Sequence, residues 1–146
     1  MVRTGRHLCE HARVPITSKE MGYEVRLDAD GTMRTEDDST FATPEAWSAE
    51  HLLLASILRC TAKSLEYSAR KKGIAHATVG GTAKGVVRRR EEDGRFAVVR
   101  TDLTLDVSLD PKPGRAELQD VLDWAERGCF IGSSLTAKPI YHWNVS

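Results

Sequence analysis

The sequence predicts an α+β domain in which antiparallel sheets pack on one long, buried central helix. Three observations carry that prediction. From Ser48 to Lys72 no Pro or Gly interrupts a stretch rich in helix formers. The segment Thr101 to Leu109 alternates strictly, with Leu103, Leu105, Val107 and Leu109 on one face. The elements follow the order β-β-α-β-β-α-β, without the βαβ alternation of a doubly wound fold, and this favours an antiparallel sheet.

Taken in order, residues 1–18 have no strong period and read as an N-terminal extension, leaving 19–146 as a single domain. Tyr23-Glu24-Val25-Arg26-Leu27 alternates apolar and charged residues, as a half-buried strand does. Asp28-Ala29-Asp30-Gly31 is turn chemistry, and Thr32 to Thr35 returns as the second strand of a hairpin. The polar run from Glu36 to Ala42 reads as loop. For the helix there are two possible starts, Thr43-Pro44-Glu45 with Pro at the first helical position, or Ser48-Ala49-Glu50. Its stop signal is Gly73. Leu52 to Leu58 is apolar nearly all round, which predicts burial on most sides.

Two long β segments follow, Ala75 to Arg90 and Arg95 to Leu109, joined by Glu91-Glu92-Asp93-Gly94. After the break at Asp110-Pro111-Lys112-Pro113-Gly114, Leu118, Val121, Leu122 and Ala125 recur at helical spacing until Gly128. Cys129 opens a short segment to Leu135, and Ile140 to Val145 is the last strand.

At 146 residues the chain suits one domain. A chain of this size buries roughly 70% of its unfolded surface, enough for a real core. Lys plus Arg and Asp plus Glu both number 21, so the formal charge is zero and no polyanion-binding surface is expected. Even the densest basic run, Arg88-Arg89-Arg90, is followed at once by Glu91, Glu92 and Asp93, which reads as a self-neutralising hairpin tip rather than a nucleic-acid patch. The first residues carry Arg3, Arg6 and Arg13 and no apolar stretch, unlike a secretory signal. No segment approaches the roughly 20 apolar residues of a membrane span. The expected compartment is the cytoplasm, where three cysteines read as metal ligands, catalytic thiols or core residues.

Several residues could carry chemistry. Cys60 lies mid-helix among Ile57, Leu58 and Leu65, where a cysteine is ordinarily a core thiol. Cys129 follows Gly128 at the start of a possible short helix, where unpaired N–H groups favour a thiolate. His7, Cys9 and His11 alternate and would share one side of a strand. Three ligands without a fourth fit surface side chains better than a metal site. Glu50-His51 at the helix start reads either as acid–base machinery or as a Glu complementing the helix dipole. No serine triad order, phosphate-binding loop or nucleotide fingerprint is present.

Two blocks resemble one known family. The run Ser48-Ala49-Glu50-His51-Leu52-Leu53-Leu54-Ala55-Ser56-Ile57-Leu58-Arg59-Cys60 is similar to the central helix of the OsmC/Ohr family, the osmotically inducible and organic-hydroperoxide-resistance proteins, in which a Glu precedes the first cysteine by ten residues. The run Ala125-Glu126-Arg127-Gly128-Cys129-Phe130-Ile131-Gly132-Ser133-Ser134-Leu135 resembles the family's second cysteine block. The resemblance covers roughly residues 20 to 146 and implies an intertwined homodimer. It implies a peroxidase with no metal or organic cofactor. In that scheme Cys60 is the thiolate that attacks an organic hydroperoxide and becomes a sulfenic acid, Cys129 closes a disulfide with it, and a lipoyl-type dithiol reduces the disulfide.

The family also implies an Arg that keeps the first cysteine ionised, held by the Glu corresponding to Glu50. Here the chain departs from the pattern. The position of that Arg in one branch is Ala29, and the loop from Glu36 to Trp47, which supplies it in the other branch, contains none. Arg26 and Arg34 on the hairpin strands remain as candidates, while Arg59 points about 100° away from Cys60 around the helix. The usual Asn-Pro before the Glu is replaced by Ser48-Ala49.

Geometry adds an argument of its own. Ten residues of straight helix separate Glu50 from Cys60 by about 15 Å, with directions about 80° apart, so they do not meet within one chain. Two copies of the helix crossing antiparallel near Ala55-Ser56 would bring each Glu50 close to the partner's Cys60.

The two lines of reasoning disagree on which sulfur attacks. Local chemistry favours Cys129 at a helix start. The resemblance assigns the attack to Cys60, expected to be buried beside Leu and Ile side chains that would select a bulky peroxide, while Cys129 is expected to be the exposed thiol. A protein of this fold that only binds a hydrophobic ligand between subunits is the alternative function. A thiol hydrolase, or a metal protein using His7, Cys9 and His11, stands third.

Overall fold

The computed structural model of the chain describes residues 20–146. The whole extension, with His7, Cys9 and His11, lies outside the described residues. The chain divides into two compact units, the first ending at Pro44 and the second spanning Glu45–Ser146.

The first unit is an antiparallel sheet of β1 (Val25–Leu27), β2 (Thr32–Thr35) and β3 (Thr40–Ala42), in that spatial order. The Asp28–Gly31 turn forms as expected, with Gly31 at φ +87° and its N–H donating to the Asp28 carbonyl at 3.0 Å. Glu36 to Ala42 is not simply loop. The Thr35 N–H donates to the Ser39 carbonyl at 3.0 Å, and the chain returns as β3 with Phe41 opposite Met33. The open edge of β2 recruits a segment whose polar residues carry no strand signal of their own. Tyr23, Val25, Leu27 and Phe41 all remain largely exposed.

The second unit is built on α1 (Ala49–Lys71). Of the two candidate starts, Ser48 is the cap. Its hydroxyl accepts from the His51 N–H, and the His51 ring accepts from the Ser48 N–H at 3.1 Å, a capping box with His in the place of Glu. Arg70 and Lys71 occupy the last turn, where cations complement the helix dipole. Gly73 at φ +79° ends the helix in the left-handed conformation that favours glycine.

Ile57, Thr61, Leu65, Ser68 and Ala69 are buried and share one face of α1. Leu52, Leu54 and Leu58 are only half-buried, so within a single chain the helix is covered on one face rather than on most sides.

The second sheet contains β4 (His76–Arg89), β5 (Phe96–Asp110) and β6 (Ile140–Val145). The β4–β5 hairpin is antiparallel, and at its tip Arg90 pairs with Asp93, the expected neutralising arrangement. The last strand differs from expectation, because β6 pairs with β5 in parallel, Leu105 opposite Trp143. The connection runs through α2 (Arg115–Arg127) and α3 (Phe130–Ser134), and a helical crossover lets a strand return in the same direction.

The inward residues of β5 (Leu103, Leu105, Val107 and Leu109) join Ile57, Leu65, Val121, Ala125 and Cys129 in one core. α1 packs against β4, α2 and α3. At Gly85 of β4 an added Cβ would stand 3.1 Å from Leu54 Cδ2, so the helix lies close on the sheet there. No helix among the described residues is long and apolar enough to cross a membrane.

Candidate active site

Helix α1 carries Cys60, and the turn after α2 carries Cys129. Both are free thiols, and Cys129 is near enough to act on the ionisation of Cys60. Cys129 is the N-cap of α3 and is fully buried. Its Sγ accepts from the Gly132 N–H at 3.3 Å and from the Thr61 hydroxyl at 3.3 Å. Cys60 is half-buried. The accessibility expected from local chemistry is therefore reversed, with Cys129 sealed in the core and Cys60 open to a cavity. The reason lies in packing. α3 folds back onto α1, which turns the start of the short helix inward and places Cys129 behind Thr61.

Burial is the main effect on the Cys60 thiol and pushes its pKa up. The neighbouring Cys129 adds to that rise, while the backbone N–H groups of Ile131 and Phe130 oppose it.

The cavity beside Cys60 measures about 730 Å³. Its walls are apolar, formed by Tyr67, Trp124 and Phe130, and Lys63, Lys71 and Lys72 stand among its lining residues. Lys71 lies over the Tyr67 ring at 5.4 Å, and Arg127 stacks on Trp124 at 4.9 Å, so two aromatic walls are braced by cations. A second cavity of about 760 Å³ at the β4–β5 tip is lined by Arg88 to Glu92, Val98, Val99, Thr136 and Ala137, and contains no thiol.

The other candidate residues lie elsewhere. Glu50 is exposed in the first turn of α1, and its hydrogen bond with Ser48 holds its carboxyl below the usual range. His51 serves the capping box. In the first unit, Arg26 and Arg34 face one another across β1 and β2. Arg26 pairs with Asp38 at 2.6 Å and Arg34 with Asp28 at 2.6 Å. Among the described residues, no cluster of His, Cys, Asp and Glu has the makings of a metal site.

Thr61, Gly132 and Tyr141 complete the surroundings of Cys129, and the sequence did not single them out. Thr61 was legible in part, since it follows Cys60 on the helix. Tyr141 sits on an ordinary alternating strand and carries no such signal.

The match to known proteins follows these elements. The family model for OsmC-like proteins matches residues 42–142, from the end of β3 into β6. No curated protein matches the chain. Among solved structures, the OsmC-like protein of unknown function from Vibrio cholerae superposes with a TM-score of 0.66 at 16% identity, covering 87% of this chain and 100% of that one. The organic hydroperoxide resistance protein OhrB of Bacillus subtilis gives a TM-score of 0.52 at 18% identity, covering 86% and 96%. An organic hydroperoxide resistance protein from Elizabethkingia anophelis gives 0.59 at 18%, covering 90% and 98%. At these identities the likeness is one of fold. With a family model matched across its central helix, both cysteines and the hairpin between them, the chain belongs to the OsmC-like family.

Proposed function

We propose that this protein is a thiol peroxidase for organic hydroperoxides, with Cys60 as the attacking sulfur and Cys129 as the resolving one. The division of labour between the two sulfurs carries the reading. One thiol opens on an apolar cavity, and the other lies close to it on the closed side. The names of the Bacillus and Elizabethkingia proteins point the same way.

In the proposed cycle the Cys60 thiolate attacks the distal peroxide oxygen and the O–O bond breaks. The alkoxide takes a proton and leaves as an alcohol, and Cys60 becomes a sulfenic acid. Cys129 then attacks that sulfur, water leaves, and a disulfide forms. A dithiol of the lipoyl type supplies two electrons and two protons to restore both thiols. Such a cycle suits the reducing compartment expected from the sequence, the cytoplasm.

The homodimer belongs to the same proposal. Exposed Tyr23, Val25, Leu27 and Phe41, and the half-buried leucines of α1, are apolar surface that a second copy would cover. A crossing of two α1 helices would bring Glu50 to the partner's Cys60. Sedimentation at low micromolar concentration should then show a dimer, and a well-folded monomer would remove the composite site.

The activity test is hydroperoxide consumption followed against pH. Only the thiolate attacks, and burial raises the Cys60 pKa above the ordinary thiol range. Below that pKa the thiolate fraction grows tenfold per pH unit, so the first-step rate with cumene hydroperoxide should climb about tenfold from pH 7 to pH 8. A flat profile would mean that a cation has reached the sulfur, and Arg26→Ala or Arg34→Ala should then restore the slope.

One observation favours a second reading, a non-catalytic protein that binds a hydrophobic ligand in the cavity. The thiol beside the cavity is raised rather than activated, and both candidate arginines are already paired within their own sheet. That reading expects an apolar probe to bind equally well to wild type and Cys60→Ser, with no peroxide consumed at any pH.

A further inference from the structure

The two-thiol reading accounts for Cys60 and Cys129 and leaves unexplained a hydroxyl held beside the buried sulfur. Tyr141 is the second residue of β6, and its ring stacks on Trp143 with centroids 6.0 Å apart and planes 6° off parallel. Trp143 is held in turn by its Nε1–H, which donates to Glu126 Oε1 at 2.8 Å. These contacts aim the phenol at Gly132. A Cβ built on Gly132 would lie 2.8 Å from the Tyr141 oxygen and 3.3 Å from Cys129 Sγ, so only a residue without a side chain lets hydroxyl and sulfur share this space. Burial and the nearby Cys129 also push the Tyr141 pKa up, so the phenol keeps its proton and stays a donor at neutral pH.

We propose that Tyr141 is a positioning residue for the resolving sulfur, its hydroxyl closing, with the Thr61 hydroxyl and the Gly132 N–H, a donor cradle that aims Cys129 Sγ at Cys60. The inference rests on the two-thiol reading. During disulfide closure the Cys129 sulfur must approach the Cys60 sulfur in line with the S–O bond being broken, from the side opposite the oxygen. The thiol proton and the departing hydroxyl together leave as water. A thiol that is fully buried has no bulk solvent to orient it or to stabilise charge building on it, so the fixed donors take that part.

Tyr141→Phe removes a single oxygen and keeps the stacked ring. In single-turnover experiments, sulfenic acid on Cys60, read by dimedone labelling, should form at the wild-type rate. Its conversion to the Cys60–Cys129 disulfide should slow by about tenfold or more. Gly132→Ala, which crowds the phenol away, should slow the same step, and the double variant should be no slower than the worse single one. Diamide closes dithiols without any peroxide, and running the same variants with it separates the two ideas. Slow closure in both variants under diamide upholds the cradle even if wild type fails to consume hydroperoxide, an outcome that would sink only the peroxidase reading. Wild-type closure rates in Tyr141→Phe, or no Cys60–Cys129 closure by diamide in wild type, would overturn it.

Discussion

Cys60→Ser is expected to abolish hydroperoxide consumption, while Cys129→Ser still consumes one equivalent and stops with a sulfenic acid on Cys60. The expectation follows from access. Cys129 is fully buried, so a bulky peroxide has no approach to it, whereas Cys60 lies on the wall of a cavity of about 730 Å³. Serine keeps the size of the side chain and removes the nucleophile, because its hydroxyl does not ionise at neutral pH. The loss at Cys60 should therefore be complete within detection, a drop of at least about a thousandfold. In Cys129→Ser the first turnover proceeds and the cycle halts for want of a resolving thiol. Rapid-quench labelling with dimedone, followed by mass mapping, reads both outcomes. A fast first turnover retained by Cys60→Ser and lost in Cys129→Ser would reverse the roles of the two sulfurs.

The second large effect is on stability. Leu65→Ala should lower the unfolding free energy by about 2–5 kcal/mol, the range for deleting a fully buried leucine side chain and leaving a cavity. Leu65 has no exposed surface and sits on the buried face of α1, in the same core as Val121 and Leu103. Neighbours on two other elements cannot all collapse into the space at once. Against a typical total of about 5–15 kcal/mol, such a loss is a large share. Urea unfolding should show a lower midpoint with an unchanged slope. Because a dimer makes apparent stability depend on concentration, wild type and variant must be compared at one protein concentration. A loss under about 1 kcal/mol would mean that this face of α1 is not packed as described.

The sequence by itself determined the kind of most elements and many of their ends. Gly73 ends α1, for which Ser48 was one of two legible starts, strict alternation marks β5, Asp93-Gly94 turns the hairpin, and Gly128 stops α2 before Cys129. These are local signals, written in periodicity, caps and turn residues, and they needed no knowledge of neighbours. The family was also legible, through the resemblance of the two cysteine blocks. What tertiary structure alone decided is everything that depends on a distant partner. β3 is a strand because β2 has an open edge, and β6 runs parallel to β5 because a helical crossover reverses the chain between them. The accessibility of the sulfurs is of the same kind. A cysteine at the start of α3 looks exposed until α3 is packed on α1, and a cysteine inside α1 looks buried until a cavity opens beside it. Tyr141 reaches the second sulfur only because a strand from the far end of the chain passes Gly132, and no local pattern records which residues meet across that distance.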